Sequence, residues 1–175
     1  MSEGRRLDEA VSLVKGKARE FARLPPGLKA ALLRECIPRL VDVAPRWVAD
    51  GCEAKGLGPG ESGEEWLVGP LPTVRMMRLL AESLDEIAVR GRPPLGRVVR
   101  QREDGRLEIE VLPAGFADRL LYRRFTGFVL TEPGIDEDTA RANQAAFYQE
   151  RDPAGGLSVI LGAGNVSSIP PMDVL

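Results

Sequence analysis

Apolar residues fall at helical spacing through the first half of the chain. Leu7, Val11, Val14, Ala18 and Phe21 step by three and four, which places them on one face of a helix. Pro25-Pro26-Gly27 ends that helix. Leu28, Leu32, Cys36, Leu40, Val43 and Trp47 mark the next apolar face. Pro38 and Pro45 are expected to interrupt this segment, because proline removes a main-chain donor and crowds the preceding turn. Pro45 is placed to open a fresh helix at its first position, where the missing N–H costs nothing. Gly51, Gly56, Gly58 and Gly60 then predict a loop. A third helix is expected after Pro72, with Val74, Met77, Leu80, Leu84 and Ile87 facing inward.

The periodicity changes near Arg90. Val98-Val99 and Leu107–Val111 alternate like strands, with Asp104-Gly105 between them, a strong hairpin signal. A two-residue loop would pair Arg100 with Ile109 and so mix charge with core. A three-residue loop with Gly105 left-handed pairs Val99 with Ile109 and Arg100 with Glu108. The second register is expected, because matched cross-strand pairs stabilise a ladder. One face of this hairpin should be solvated, with Glu108 and Glu110 outward. Residues 116–130 hold the densest aromatics, and Phe128-Val129-Leu130 reads as another short strand. Asp136 offers an N-cap to a helix running through Thr139, Ala142, Ala146 and Phe147.

The chain's end carries the candidate chemistry. Leu157–Leu161 is an apolar run that suits a strand buried on both faces of a parallel sheet. Gly162-Ala163-Gly164-Asn165 follows, a turn that lets main chain approach a ligand closely. Pro170 and Pro171 then read as the first positions of a helix that has room for about one turn. A buried strand without a partner and a helix that barely starts lead to the expectation that the polypeptide continues past Leu175. By the same reasoning the open strand at 157–161 should make the 175-residue chain prone to aggregate.

Composition narrows the chemistry further. The chain has 175 residues, two cysteines, no histidine and a net charge of −2. Ser-His-Asp and Cys-His pairs are therefore excluded. So is histidine-ligated zinc, and two thiols fall short of a four-thiolate site, so no metal is expected. Cys36 sits at core spacing and reads as a small buried hydrophobe, while Cys52 should be partly exposed. The start alternates charged and apolar residues, unlike a signal peptide, and no run is long enough to span a bilayer. A cytoplasmic protein is expected, with no nucleic-acid or membrane partner.

The order of elements resembles the N-terminal portion of the aldehyde dehydrogenase superfamily. That family opens with helices carrying a pattern similar to Leu28-Lys29-Ala30-Ala31-Leu32-Leu33-Arg34 and a segment ending Glu-x-x-Gly, here Glu53-Ala54-Lys55-Gly56. A helix, a hairpin and an apolar strand leading to a loop with an asparagine follow. In most members the loop reads Pro-Trp-Asn-Phe-Pro, whereas here it reads Gly162-Ala163-Gly164-Asn165-Val166-Ser167. The phrase Leu-Gly-Ala-Gly-Asn-Val-Ser-Ser-Ile-Pro is closer to a divergent, acyl-CoA-reductase-like branch.

The resemblance implies an α/β fold: helices over 1–90, an oligomerisation-type hairpin over 95–112, a divergent connection over 113–150, and over 157–175 the first strand, turn and helix start of an incomplete cofactor domain. It implies NAD or NADP as cofactor in the complete protein, an aldehyde or acyl thioester as substrate, and a homo-oligomer. Asn165 matches the side chain that donates a hydrogen bond to the oxyanion formed when a cysteine attacks the carbonyl. Gly162, Ala163 and Gly164 match positions lining the cofactor cleft. The family's nucleophilic cysteine and glutamate base lie further along the chain than residue 175, so this chain alone should not turn over substrate.

Two other readings stay open. Gly162–Ser167 approximates Gly-x-Gly-x-x-Gly, which after a strand would seat a dinucleotide pyrophosphate at a helix N-terminus, although Ser167 replaces the third glycine. The arginines at 90, 92, 97, 100, 102 and 106 also suggest a non-enzymatic interaction module that contacts nucleic acid. Acids at Glu103, Asp104, Glu108 and Glu110 interleave with them, which favours a solvated hairpin or a subunit interface.

Overall fold

The computed structural model describes residues 3–58, 60–161 and 166–175. It is a mixed α/β protein with four N-terminal helices, α1 (Glu3–Ala22), α2 (Pro26–Lys55), α3 (Gly63–Val68) and α4 (Pro70–Arg90). Strands β1 (Arg97–Gln101) and β2 (Leu107–Leu112), helix α5 (Phe116–Leu121) and strand β3 (Gly127–Leu130) follow. Then come α6 (Glu137–Asn143), a 3-10 turn at Ala146–Gln149, and α7 (Ile169–Val174). The chain divides into two units, one of Met1–Val89 with Glu150–Leu175 and the other of Arg90–Gln149. No helix of the described residues is long and apolar enough to cross a membrane.

In the first unit, α2 is one 30-residue helix that runs through Pro38 and Pro45 without a break. This corrects the expected interruption. Each proline forfeits one intrahelical bond, yet both are exposed and the helix continues through them. The helix ends at Gly56, whose φ of 67° allows its N–H to reach back to the Cys52 and Glu53 carbonyls. The Glu53-x-x-Gly56 phrase is thus a helix stop.

The buried face of α2 is also not the expected one. Ala30, Ala44 and Val48 are buried, while Leu28, Leu32 and Val43 are 54, 44 and 57% exposed and Cys36 is exposed. Cys36 is therefore not a core thiol; Cys52 is half-buried, as expected. α4 runs beside α2 in the opposite sense. A Cβ on Gly27 would touch Ala88 at 3.9 Å, Arg34 pairs with Asp85, and Trp47 lies beside Gly69. On α4, Thr73, Met77, Ala81, Leu84 and Ile87 form the buried stripe, with Val74 and Leu80 at its margins.

Residues 150–161 run back along α1. Asp152 accepts hydrogen bonds from Arg19 Nη2 and Arg23 Nε, both at 2.9 Å. These hold its carboxyl below the ordinary range, the Arg23 bond most and the Arg19 bond further, against some desolvation. A depressed carboxyl stabilises the fold above its unfolded value near ~3.9 and stops doing so as pH falls through the folded value. The unfolding midpoint of Asp152→Asn in urea should therefore depend less on pH below about 4 than that of the wild type. Parallel acid limbs for the two proteins would contradict this.

Leu157–Leu161 forms no strand, contrary to expectation. It joins no ladder, and Leu157, Val159, Ile160 and Leu161 are 40, 75, 37 and 91% exposed. The apolar run lacks a neighbouring strand among the described residues, and a β ladder requires one. The apolar face of α1 is likewise open, with Leu7, Val11, Val14 and Phe21 about half exposed or more.

The second unit is built on an antiparallel sheet of order β1-β2-β3. The β1–β2 loop has the expected three residues. Arg102 N–H donates to the Arg106 carbonyl at 2.8 Å, Gly105 has φ of 78°, and Asp104 Oδ1 accepts from Arg106 N–H. Arg100 pairs with Glu108 as expected, but Ile109 faces Val98, because the ladder shifts register between Val98 and Arg100. Glu108 and Glu110 are not free in solvent; only 13 and 19% of their side chains is exposed, under Arg100 and Arg97 respectively. Leu107 and Ile109 are buried on the opposite face. Asp136 caps α6 by accepting from Thr139 N–H at 2.7 Å. That helix stops at Asn143, before Ala146 and Phe147, and Ala145 just beyond has φ of 53°.

Candidate functional site

Four sequence-predicted site residues, Gly162, Ala163, Gly164 and Asn165, lie outside the described residues. Their anchor is described. Val166–Ser168 form a turn in which Ile169 N–H donates to the Val166 carbonyl at 3.2 Å and Met172 N–H to the Ser168 carbonyl at 3.0 Å. This turn starts α7, with Pro170 and Pro171 in its opening positions as expected. Ser168 is almost wholly buried, at 1% exposure.

The turn seats against the elbow between α3 and α4. A Cβ on Gly69 would lie 3.0 Å from Ser167 Oγ, 3.6 Å from Trp47 Cε2 and 2.7 Å from the Glu65 carbonyl oxygen. No side chain fits there without displacing main chain, so Gly69 is what admits the serine. Thr73 Oγ1 braces the elbow by donating to the Gly69 carbonyl at 2.9 Å, and Gly69 N–H donates to the Glu65 carbonyl at 3.0 Å. Ser167 Oγ is itself buried with no hydrogen-bond partner among the described residues. An unpartnered buried hydroxyl costs on the order of 1–3 kcal/mol.

The elbow is held on α2 by an ion pair. Glu65 is 2% exposed and accepts from Lys55 Nζ. That hydrogen bond is the main cause that raises the lysine above its ordinary value; desolvation opposes it, and the Glu65 and Glu64 charges add to it. Gly51 makes the approach possible, since a Cβ there would lie 2.6 Å from Glu65 Oε2. Sequence reasoning missed α3, Glu65 and the two serines. The available signal was Gly51, a glycine amid helical spacing, which marks a close approach more often than a loop.

The described chemistry is thus a scaffold of main chain, two serines and one ion pair. Among the described residues, no group of three or more His, Cys, Asp or Glu side chains is arranged to hold a metal. The arginines of the hairpin are largely spoken for: Arg97 and Arg100 pair with glutamates, Arg102 and Arg106 flank Asp104, and Arg92 donates to the Arg141 carbonyl. Set against known proteins, the chain matches no family model, no curated protein and no solved structure.

Proposed function

We propose that this chain is the N-terminal part of a nicotinamide-dependent oxidoreductase acting on an aldehyde or acyl thioester, with Asn165 as its oxyanion donor. The observation that carries the reading is the phrase from Leu161 to Pro171, whose second half is a fixed turn seated on the α3–α4 elbow. The open apolar run at 157–161 supports a chain that packs against further polypeptide. NAD or NADP would supply the hydride. Gly162, Ala163 and Gly164 would let it approach main chain, and the unpartnered Ser167 hydroxyl is a donor two residues from the oxyanion position. Asn165 would hold the carbonyl oxygen as it becomes negative, donating an N–H that does not titrate. The nucleophile and base would come from later in the polypeptide, so the 175 residues alone are inactive.

The arginine pairs described above remove the free charge that a nucleic-acid module would need. A pyrophosphate site of the Rossmann type would also need its third glycine, where this chain has Ser167. The reading is tested on the genomic reading frame. An open frame is expected to continue past the Leu175 codon. Its full product should interconvert aldehydes or acyl thioesters with oxidation or reduction of a nicotinamide, and thiol alkylation should abolish this. A stop codon there in the genome, or a full-length product inert with both substrate classes, defeats the reading.

A further inference from the structure

The second unit carries an apolar and basic surface on α5 and the turn that follows it. Phe116, Leu120, Leu121 and Phe125 are 83, 63, 60 and 67% exposed. A single exposed apolar residue is ordinary, but four large ones between residues 116 and 125 form a patch of the kind that meets another body. Within α5, Phe116, Arg119 and Leu120 share one face through their three- and four-residue spacing. Asp118 points the opposite way; it is buried, and its Oδ2 accepts from Ala114 N–H at 2.9 Å.

The exposed charge on this surface has one sign. Arg119, Arg123 and Arg124 are exposed, and none has an ion-pair partner among the described residues. From Val111 to Thr131 the one acid is the buried Asp118. The chain as a whole has a net charge of −2, so this basic character is local. The hairpin differs, because Glu110 and Glu108 neutralise its Arg97 and Arg100. Uncompensated arginines beside open apolar side chains complement a surface that is anionic outside and apolar beneath.

The main chain decides between a lipid surface and an extended peptide. The N–H groups of Arg119, Tyr122 and Phe125 donate to the carbonyls of Gly115, Asp118 and Tyr122. These bonds close within the segment, so it can meet hydrocarbon without leaving those groups unsatisfied. For the same reason they are not free to pair with a peptide strand.

We propose that the α5 surface docks on an anionic lipid bilayer. Phe116, Leu120 and Phe125 enter the boundary between headgroups and acyl chains, where such side chains bury. Arg119, Arg123 and Arg124 lay their stems along that boundary and keep their guanidinium groups among the anionic headgroups. The contact is peripheral. The expectation of no membrane partner follows from the lack of a spanning segment and does not bear on surface docking. This inference does not depend on the oxidoreductase reading.

Flotation of the 175-residue chain with vesicles tests it, since bound chain rises and any aggregate sinks. The chain should float with vesicles of mixed phosphatidylserine and phosphatidylcholine, stay below with phosphatidylcholine alone, and be released by added salt. Arg123→Gln combined with Arg124→Gln should weaken binding about 30-fold, as two basic groups leave an anionic surface. Phe116→Ser combined with Phe125→Ser should abolish flotation. All four positions are exposed, so both variants should melt as the wild type does. Leu7→Ser combined with Val14→Ser, on the open face of α1, should float unchanged. Hydrogen exchange needs no variant: the amides of residues 116–125 should slow on anionic vesicles. A wild type that stays below, or floats equally with neutral vesicles, would overturn the proposal. So would flotation lost in the α1 variant and kept in the Phe116/Phe125 variant, or unchanged exchange at 116–125. Tight binding to soluble poly-glutamate with none to vesicles would assign the patch to an acidic peptide instead.

Discussion

Replacing Asn165 by alanine in the complete protein should lower kcat by about 10²–10³ and leave KM within a few-fold. A donor aimed at an oxyanion acts on charge that exists only in the transition state, and removing one such group costs about 2.7–4 kcal/mol of barrier. The ground-state carbonyl is a weaker acceptor, so substrate binding changes little. Asn165→Asp should be no better than alanine near neutral pH, because it loses the donor and sets a negative charge beside a developing one. Steady-state kinetics together with thermal unfolding separates this role from a merely structural one. If the asparagine only supports the turn, Asn165→Ala lowers the melting temperature while kcat per folded molecule stays within about threefold of wild type. That outcome removes the residue from the chemistry.

Gly155→Ala is expected to destabilise the first unit by roughly 2–3 kcal/mol, measured as a lower urea midpoint at unchanged slope. Two costs combine. Gly155 has φ of 73°, a left-handed conformation that costs an L-residue about 1–2 kcal/mol. A Cβ there would also lie 2.5 Å from the Ala18 carbonyl oxygen, 2.6 Å from its carbon and 2.8 Å from Arg19 N. These are main-chain atoms inside α1 and cannot rotate away, so relief means lifting residues 150–156 off the helix. The same lift weakens the grip of Arg19 and Arg23 on Asp152. Gly156 provides the control, since a Cβ there meets nothing within 4 Å, and Gly156→Ala should shift the midpoint little. Equal effects at the two glycines would show that the segment does not seat on α1 as described.

Local signals carried the start of α7, the hairpin loop, β3 and the Asp136 cap, because each is decided within a few residues. Asp104-Gly105 sets its turn through the φ of one glycine, and Asp136 reaches Thr139 within a single helical turn. The signals failed where the decision lies elsewhere in the chain. Leu28, Leu32, Cys36 and Val43 have the right period for a buried face, yet the buried one is Ala30, Ala44 and Val48. Periodicity identifies a helix but does not say which of two apolar faces meets the neighbour. At the candidate site, the phrase around Asn165 was readable as a motif. Its support was not, because Glu65, Gly69, Trp47 and Ser167 are far apart in sequence and meet only at the α3–α4 elbow.

By itself, the amino-acid order determined that the first half is helical, that a three-residue turn joins two strands, and that histidine-based chemistry is absent. Those are properties of short windows and of composition, where main-chain sterics and side-chain inventory act without help. Tertiary structure decided the rest. It kept α2 whole through two prolines, each of which removes one intrahelical hydrogen bond. It withheld a strand from Leu157–Leu161, because an apolar run becomes a strand only when another strand accepts its main-chain bonds. It also left β3 at a rim of the sheet, since which strand ends up at a rim is a matter of pairing order.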